Sequence, residues 1–500
     1  MRRALGIFMV LALVFAGMSF AAPLPADVAI TILHTNDTHA HGLESSTEIG
    51  YSRIAGYANS LKAQGKNILL LDAGDTFHGM PWANLEKGAP VVKLMNLTGY
   101  DAMTTGNHDY NYGADRLAEL AGTTKFPIVA ANVYKNGVLM FKPYIIKVVA
   151  GVRVAIFGLA TQETLYKSDP AGLKGVTFEN PVNTAARLIY GELAGQYDVL
   201  ICLSHLGIDG SSNPTSLSIA KAFPEIDLII DGHSHSSLAA EIANNTTNVL
   251  IVSADAMGVT LGRVDLLVGK DGHVASRIPQ SINLVNTASM PSDPVVKAAA
   301  ADIAVAQAPM LAEVVGQTSI ALEGKREIVR TSETNLGRLI ANGMLVTTGA
   351  DVALMNGGGI RDGIPAGPIT KKQVYTVLPF GNYLWTTTLT GAELKAVLEN
   401  GVSKLPSQDG RYPHLAGAAF TFDVSKAVGS RVTSITVKGQ PVDPAKKYVF
   451  ATLNFEMNGG DEYNMLKGRS YKEYPMDADS FMAYVKSLGT ITEDNIVLKK

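Results

Sequence analysis

An α/β layered core followed by a second domain is the fold class that three features of the chain predict. Short apolar runs recur through the first half, each ending in Asp, Asn or His: "AITILHTNDTHAH", "NILLLDAGDTFHG", "DAMTTGNHD", "VLICLSHLG" and "DLIIDGHSH". Runs this short and this apolar read as buried strands. Helical patterns such as "RIAGYANSLKAQG" and "GADRLAELAG" lie between them, and alternation of the two predicts a layered α/β arrangement. Past "INLVNTASM" the texture changes, and a new set of alternating elements begins near residue 314.

The elements follow in chain order. Arg2 and Arg3 precede the apolar "LGIFMVLALVFAGMSF", and Ser19, Phe20 and Ala21 give small-residue cleavage spacing. Residues 1–21 are therefore expected to be a signal peptide, with export to the periplasm or medium and no stable membrane insertion after cleavage. An uncleaved anchor is the competing reading. Residues 22–291 hold the strand-end pattern. "SDPVVKAAAADIAVAQ", within 292–313, has a Ser or Asp cap and an early Pro, and predicts a linker helix stopped near Pro309. Residues 314–500 form the second domain, where "TGAELKAVLENG" opens with a capping box at Thr390 and Glu393 and ends at Gly401.

Composition limits the function. At 500 residues one ordinary core is too small a description. Hydrophobic content of 47% and charged content of 17% describe a packed protein. A net charge of −3 gives no footprint for nucleic acid or an anionic membrane. The one cysteine, Cys202, sits in an apolar run and reads as a buried small hydrophobe.

In α/β folds ligands gather in loops beyond the strand ends. The polar residues there are Asp37 and His39, Asp75, Asn107 and His108, His205, and His233 and His235. Singly, each has a bland reading as a turn former or a satisfied core residue. Together they hold five of the ten histidines, and a polar-loop explanation no longer suffices. Two metal ions need a bridging anion, which Asp75 can supply. Imidazole suits zinc, manganese or cobalt. In Asp-x-His, and again in His233-x-His235, an extended segment would put two donors on one side.

These motifs resemble the calcineurin-like metallophosphoesterase pattern: D-x-H, G-D, G-N-H-[DE], a single His, and G-H-x-H. "NGGGIRD", "LPFGN" and "ATLNFEMNGGDEY" extend the resemblance to the 5′-nucleotidase family. It implies a four-layer α/β/β/α metallophosphoesterase domain, a linker helix and a C-terminal α+β substrate-binding domain. By that resemblance Asp37, His39, Asp75 and His235 hold one divalent metal, and Asp75, Asn107, His205 and His233 the other. His108 meets substrate, while metal-bound hydroxide attacks phosphorus. Phe380 and Phe455 stack a nucleobase, Asn382 touches its edge, Asp461 takes ribose hydroxyls, and Arg326, Arg330 and Arg361 take phosphate and ribose-side oxygens. The glycines of "NGGGIRD" let the backbone approach a ligand. A hinge near 314–325 would close the domains of a monomer.

The implied activity is release of phosphate from nucleoside 5′-monophosphates, extending to other 5′-nucleotides and UDP-sugars. A 2′,3′-cyclic-nucleotide phosphodiesterase/3′-nucleotidase is the alternative, and a non-catalytic nucleotide-binding surface protein the third. The alternative arises at Asn111, where 5′-nucleotidases would carry an aspartate. An amide brings no charge, so His108 is expected to lose its proton at lower pH than beside a carboxylate. In the competing reading Asp109 or another carboxylate orients His108, and Asn111 only forms a turn.

Overall fold

The computed structural model describes residues 24–168, 170–209, 213–238, 249–287 and 290–496. The signal-peptide reading falls on residues outside these. Among the described residues no helix is long and apolar enough to cross a membrane.

Two sheets face each other in the N-terminal domain. One runs, edge to edge, Val274–Asn283, Thr260–Val268, Val28–Thr35, Asn67–Asp72 and Ala102–Met103. The other runs Ser237–Leu238, Leu250–Ala254, Leu228–Asp231, Val199–His205, Val152–Ala160 and Tyr144–Val149. Alternation explains the layering. Ile30 and Ile32 point into the core shared with Ile156, Ile201 and Leu203 of the other sheet, while Leu33 faces the helices on the outer side. Those helices include Gly50–Ala63, Ala89–Thr98 and Pro294–Leu311. Helices Pro181–Arg187 and Ser216–Ala222 cover the second sheet's outer face, where Cys202 is buried. The result is the expected α/β/β/α stack. Val28–Thr35 is parallel to Asn67–Asp72, and Val199–His205 to both Leu228–Asp231 and Val152–Ala160. Their polar ends therefore come out on one side.

The C-terminal domain is α+β. Its five-stranded sheet has the order Pro413–Ala416, Val352–Asn356, Lys447–Leu453, Tyr383–Thr390 and Lys472–Met476. Helices Asn335–Thr348 and Asp477–Leu488 pack on one face. Helix Gly391–Gly401 packs on the other, and its capping box is formed as the sequence predicts.

One local expectation holds to within two residues and one changes. The helix capped by Asp293 continues through Pro309 to Leu311. A proline there removes only one hydrogen bond, in the last turn, so termination comes a residue or two later. Val314–Thr318, the start of the expected hinge, is a strand paired with Gly367–Thr370 and Thr490–Ile491. It is held by the second domain's own sheet.

Candidate metal centre and nucleotide cavity

All seven candidate donors converge. Asp37, His39 and His235 form one group, and Asp75, His205 and His233 another, with ligand atoms within 4.8 Å of one another in each. His39 Nε2 and His235 Nε2 stand 3.1 Å apart. Two nitrogens on one tetrahedral zinc at about 2.05 Å would be about 3.3 Å apart, so the spacing suits a shared ion. Asp75 Oδ2 lies 3.2 Å from His205 Nε2 and 4.0 Å from His39 Nε2, between the two groups, where a bridge must be. His233 Nδ1 is 2.9 Å from Asn107 Oδ1.

The surroundings fix which atom of each donor is offered. His205 Nδ1 donates to the Ala73 carbonyl at 2.6 Å, leaving Nε2 as the lone pair. That atom is buried and faces Asp75 Oδ2 at 3.2 Å. His233 is turned the other way, because its Nε2 pairs with Glu163 Oε2 at 2.8 Å and presents Nδ1. A carboxylate behind an imidazole orients it and raises its basicity toward a metal. Asp37 accepts from Asn36 Nδ2 at 2.8 Å and from the His233 amide at 3.0 Å. Burial pushes the Asp37 carboxyl up to about 8. Burial works against His205 as well, yet Asp75 and Asp37 raise it to about 10. Buried carboxylates whose charge is balanced here only by a protonated imidazole are a good fit for divalent cations, which would replace that proton.

The Asp-x-His and His-x-His pairs are not extended, contrary to the sequence expectation. Asp37, His39, Asp75, His233 and His235 have φ of 48°, 45°, 58°, 78° and 51°. Left-handed backbone at non-glycine residues costs on the order of 1–3 kcal/mol each and marks sites held by their surroundings. Gly106 is needed for a steric reason instead. A Cβ there would lie 2.2 Å from Asp75 Oδ1 and 2.6 Å from the His205 ring.

A cavity of about 800 Å³ joins this cluster to the second domain. Asp75, Asn107, His108, His233 and His235 line one side, and Arg326, Arg330, Arg361, Phe380, Asn382, Phe455 and Asp461 the other. Among the described residues the three arginines make no ion pair, and Arg330 Nε is buried without a partner. Burial, then Arg326 and Arg361, draw Arg330 down to about 9; burial, then Arg326, draw Arg361 down to about 10. All three are cationic at neutral pH, so the cavity is built for an anion.

Residues 30–237 match the family described as calcineurin-like phosphoesterase, and 314–468 the 5′-nucleotidase C-terminal domain. Protein UshA of Escherichia coli is 31% identical over 505 residues, covering 91% of this chain and 90% of that protein. The chain belongs to the 5′-nucleotidase family. It is also 34% identical, over 92% of its length, to the trifunctional nucleotide phosphoesterase YfkN of Bacillus subtilis, of which it spans about a third (34%). The crystal structure of a 5′-nucleotidase precursor from Thermus thermophilus superposes with a TM-score of 0.79 at 33% identity, covering 93% of this chain and 97% of that one. As a calcineurin-like phosphoesterase the protein is a hydrolase that uses divalent metal.

Seen as a family member, the chain has several particular features. Phe380 lies flat against His78 and His108, with ring centroids at 5.2 and 6.0 Å, and under the Arg361 guanidinium at 5.6 Å. No ring contact joins it to Phe455 among the described residues. Asn382 lines the cavity while its side chain bonds Asp477. Asp461 accepts from Asn356 Nδ2 at 2.8 Å. Gly358 and Gly359 line the cavity, but Gly357 is required by the chain itself: a Cβ there would lie 2.1 Å from the Val329 carbonyl.

Asp109 does not orient His108. Its carboxylate accepts from the backbone amides of Asp75, Thr76, Phe77 and Gly106 at 2.8–2.9 Å. Asn111 is the direct partner, with Nδ2 2.9 Å from His108 Nδ1. Glu163, Asn36 and His78 are absent from the sequence reading. Glu163 was findable, since it follows "VRVAIFGLAT", a sixth apolar run with a polar end.

Proposed function

We propose that the protein is a two-metal phosphohydrolase releasing phosphate from nucleoside 5′-monophosphates. The observation that carries this is one cavity lined by candidate metal donors, by three arginines that form no ion pair among the described residues, and by two phenylalanines. Asp37, His39, Asp75 and His235 would hold one ion, and Asp75, Asn107, His205 and His233 the other. Zinc, manganese and cobalt suit the nitrogen-rich donor set. When bound, the metals would activate water and neutralise phosphoryl oxygens.

The chain's own residues do the rest. Arg326, Arg330 and Arg361 draw in and orient the phosphate. Phe380 and Phe455 offer apolar faces to the base, and Asp461 a carboxylate to the ribose. His108 stands beside His39 and Asp75 and supports the departing ribose oxygen as negative charge builds on it. The pocket's two domains make closure part of binding, and the joint falls between Leu311 and Val314, ahead of the paired strand. Solution scattering with and without nucleotide tests that joint, and identical curves would remove it. Export through the N-terminal leader is tested by the intact mass of the released protein.

Phosphate release from adenosine and uridine 5′-monophosphates, UDP-glucose, 2′,3′-cyclic AMP and bis(p-nitrophenyl) phosphate, each with several metals, tests the activity. The 5′-monophosphates are expected to lead. A lead for cyclic AMP would replace the proposal with the phosphodiesterase reading.

A further inference from the structure

One buried imidazole has no part in the reaction as described above. His78 is 1% exposed and sits at the junction of the domains. Its ring is nearly parallel to that of His108, with 11° between planes and 6.2 Å between centroids, and to that of Phe380 on its other contact. Its Nδ1 lies 3.2 Å from Asn111 Nδ2, the atom that also reaches His108 Nδ1 at 2.9 Å. One side-chain amide therefore serves two imidazoles, both at Nδ1.

Hydrogen count sets the direction of those hydrogen bonds. An amide nitrogen has two hydrogens, enough for two acceptors, and a carboxylate has none. In the opposite arrangement the amide oxygen would accept from two Nδ1–H groups, leaving both Nε2 atoms as lone pairs. For His78 that lone pair would meet trouble. Burial holds the His78 ring neutral, and the Pro379 carbonyl lies against it across the domain junction as a hydrogen-bond acceptor; a carbonyl can only accept. The same carbonyl accepts from Asn84 Nδ2 at 3.1 Å, so it is firmly placed. His78 Nε2 is buried and has no formed hydrogen bond among the described residues, so a hydrogen pointing toward that carbonyl is the less costly state. For His108 a bare Nε2 would face the phosphate's oxygens, lone pair to lone pair.

We propose that His78 is a positioning residue: by sharing the Asn111 amide it holds His108 in the Nε2–H tautomer, the form that can donate to the substrate. This rests on His108 being the group that meets the substrate. It also explains residue 111 being an amide: two imidazoles that both need a donor at Nδ1 are served by one Asn and by no Asp.

Zinc-loaded protein with 15N-labelled histidine gives the direct readout, with resonances assigned from His78→Phe and His108→Ala. Wild type is expected to show both rings neutral with the proton on Nε2, and Asn111→Asp to move the His108 proton to Nδ1. An Nδ1–H signal for either ring in wild type overturns the proposal. The kinetic arm uses two variants. His78→Phe keeps a flat ring against Phe380 and deletes the acceptor. His78→Asn keeps an acceptor near the position of Nδ1 and deletes the stack. For adenosine 5′-monophosphate, His78→Phe should lower kcat about ten-fold with little change in KM, and His78→Asn should recover most of it. p-Nitrophenyl phosphate, whose leaving group needs no proton, should change far less. Equal losses on both substrates, or no recovery with Asn, would show packing alone and overturn the proposal. Should another phosphoester prove the better substrate, the same comparison applies to it, while the tautomer measurement is independent of substrate.

Discussion

The two walls of the cavity are built differently. On the metal side donors are fixed from behind: His205 by a backbone carbonyl, His233 by Glu163, Asp37 by Asn36 and an amide, with five candidate ligands held in left-handed backbone. On the nucleotide side Arg326, Arg330 and Arg361 line the cavity and form no ion pair among the described residues, and Phe380 borrows its contacts from the opposite domain. A metal tolerates little error in donor position, so its cage must exist beforehand. A nucleotide brings charge and an aromatic face of its own, and its wall can be left to be completed by the ligand.

The difference can be broken most sharply at Asp75. Asp75→Asn should lower turnover by two orders of magnitude or more, because it weakens a bridge shared by both ions. Metal analysis alongside phosphate release checks this. Near-native activity with two bound ions would mean that the cage does not depend on its bridge.

On the other wall, Arg361→Met should lower kcat/KM by about ten- to a hundred-fold, the worth of a charge-assisted hydrogen bond of roughly 1.5–3 kcal/mol. The loss should be similar for adenosine 5′-monophosphate and p-nitrophenyl phosphate, since both carry the phosphoryl group. A loss confined to the nucleotide would move Arg361 to the nucleoside end.

The phenylalanines sharpen the contrast. Phe380→Ala and Phe455→Ala should each cost about 1–3 kcal/mol in nucleotide binding, as a base-stacking contact does. With p-nitrophenyl phosphate they should part company. Phe455→Ala should be nearly silent, and Phe380→Ala should retain some loss because its ring also packs on His78 and His108. Identical behaviour would show that the inter-domain stack plays no part in turnover.

The smallest effect concerns how the arginine wall is anchored. His414 Nε2 donates to the Val329 carbonyl at 2.9 Å, at the end of the short helix Arg326–Val329. Burial holds this imidazole down to about 4, from an ordinary 6.5. It is neutral in the fold, and the unfolded chain takes up a proton first as the pH falls. The stability it contributes is thus complete above about 6.5 and lost as pH drops toward 4. Between pH 7 and 5.5 wild type should lose about 1 kcal/mol more than His414→Gln. Denaturant unfolding at the two pH values reads the difference, and parallel losses would rule out His414 as the cause.

The sequence by itself determined the α/β layering and singled out the side chains that gather at the candidate metal centre. Short apolar runs alternating with helical patterns read as buried strands, and their polar ends gather where ligands bind. Parallel neighbours bring those ends to one side whatever the loops between them do. It also carried the arginine and phenylalanine motifs, through family resemblance. Only the tertiary structure decided the rest. Left-handed backbone at the donors leaves no periodic trace in sequence. Glu163 behind His233, Asp109 on four backbone amides, and one Asn111 amide between His78 and His108 join residues from separate strand ends. Chain spacing records which side chains share a face. Hydrogen bonds between loops are set by how the sheets and the two domains pack, and that is a property of the folded whole.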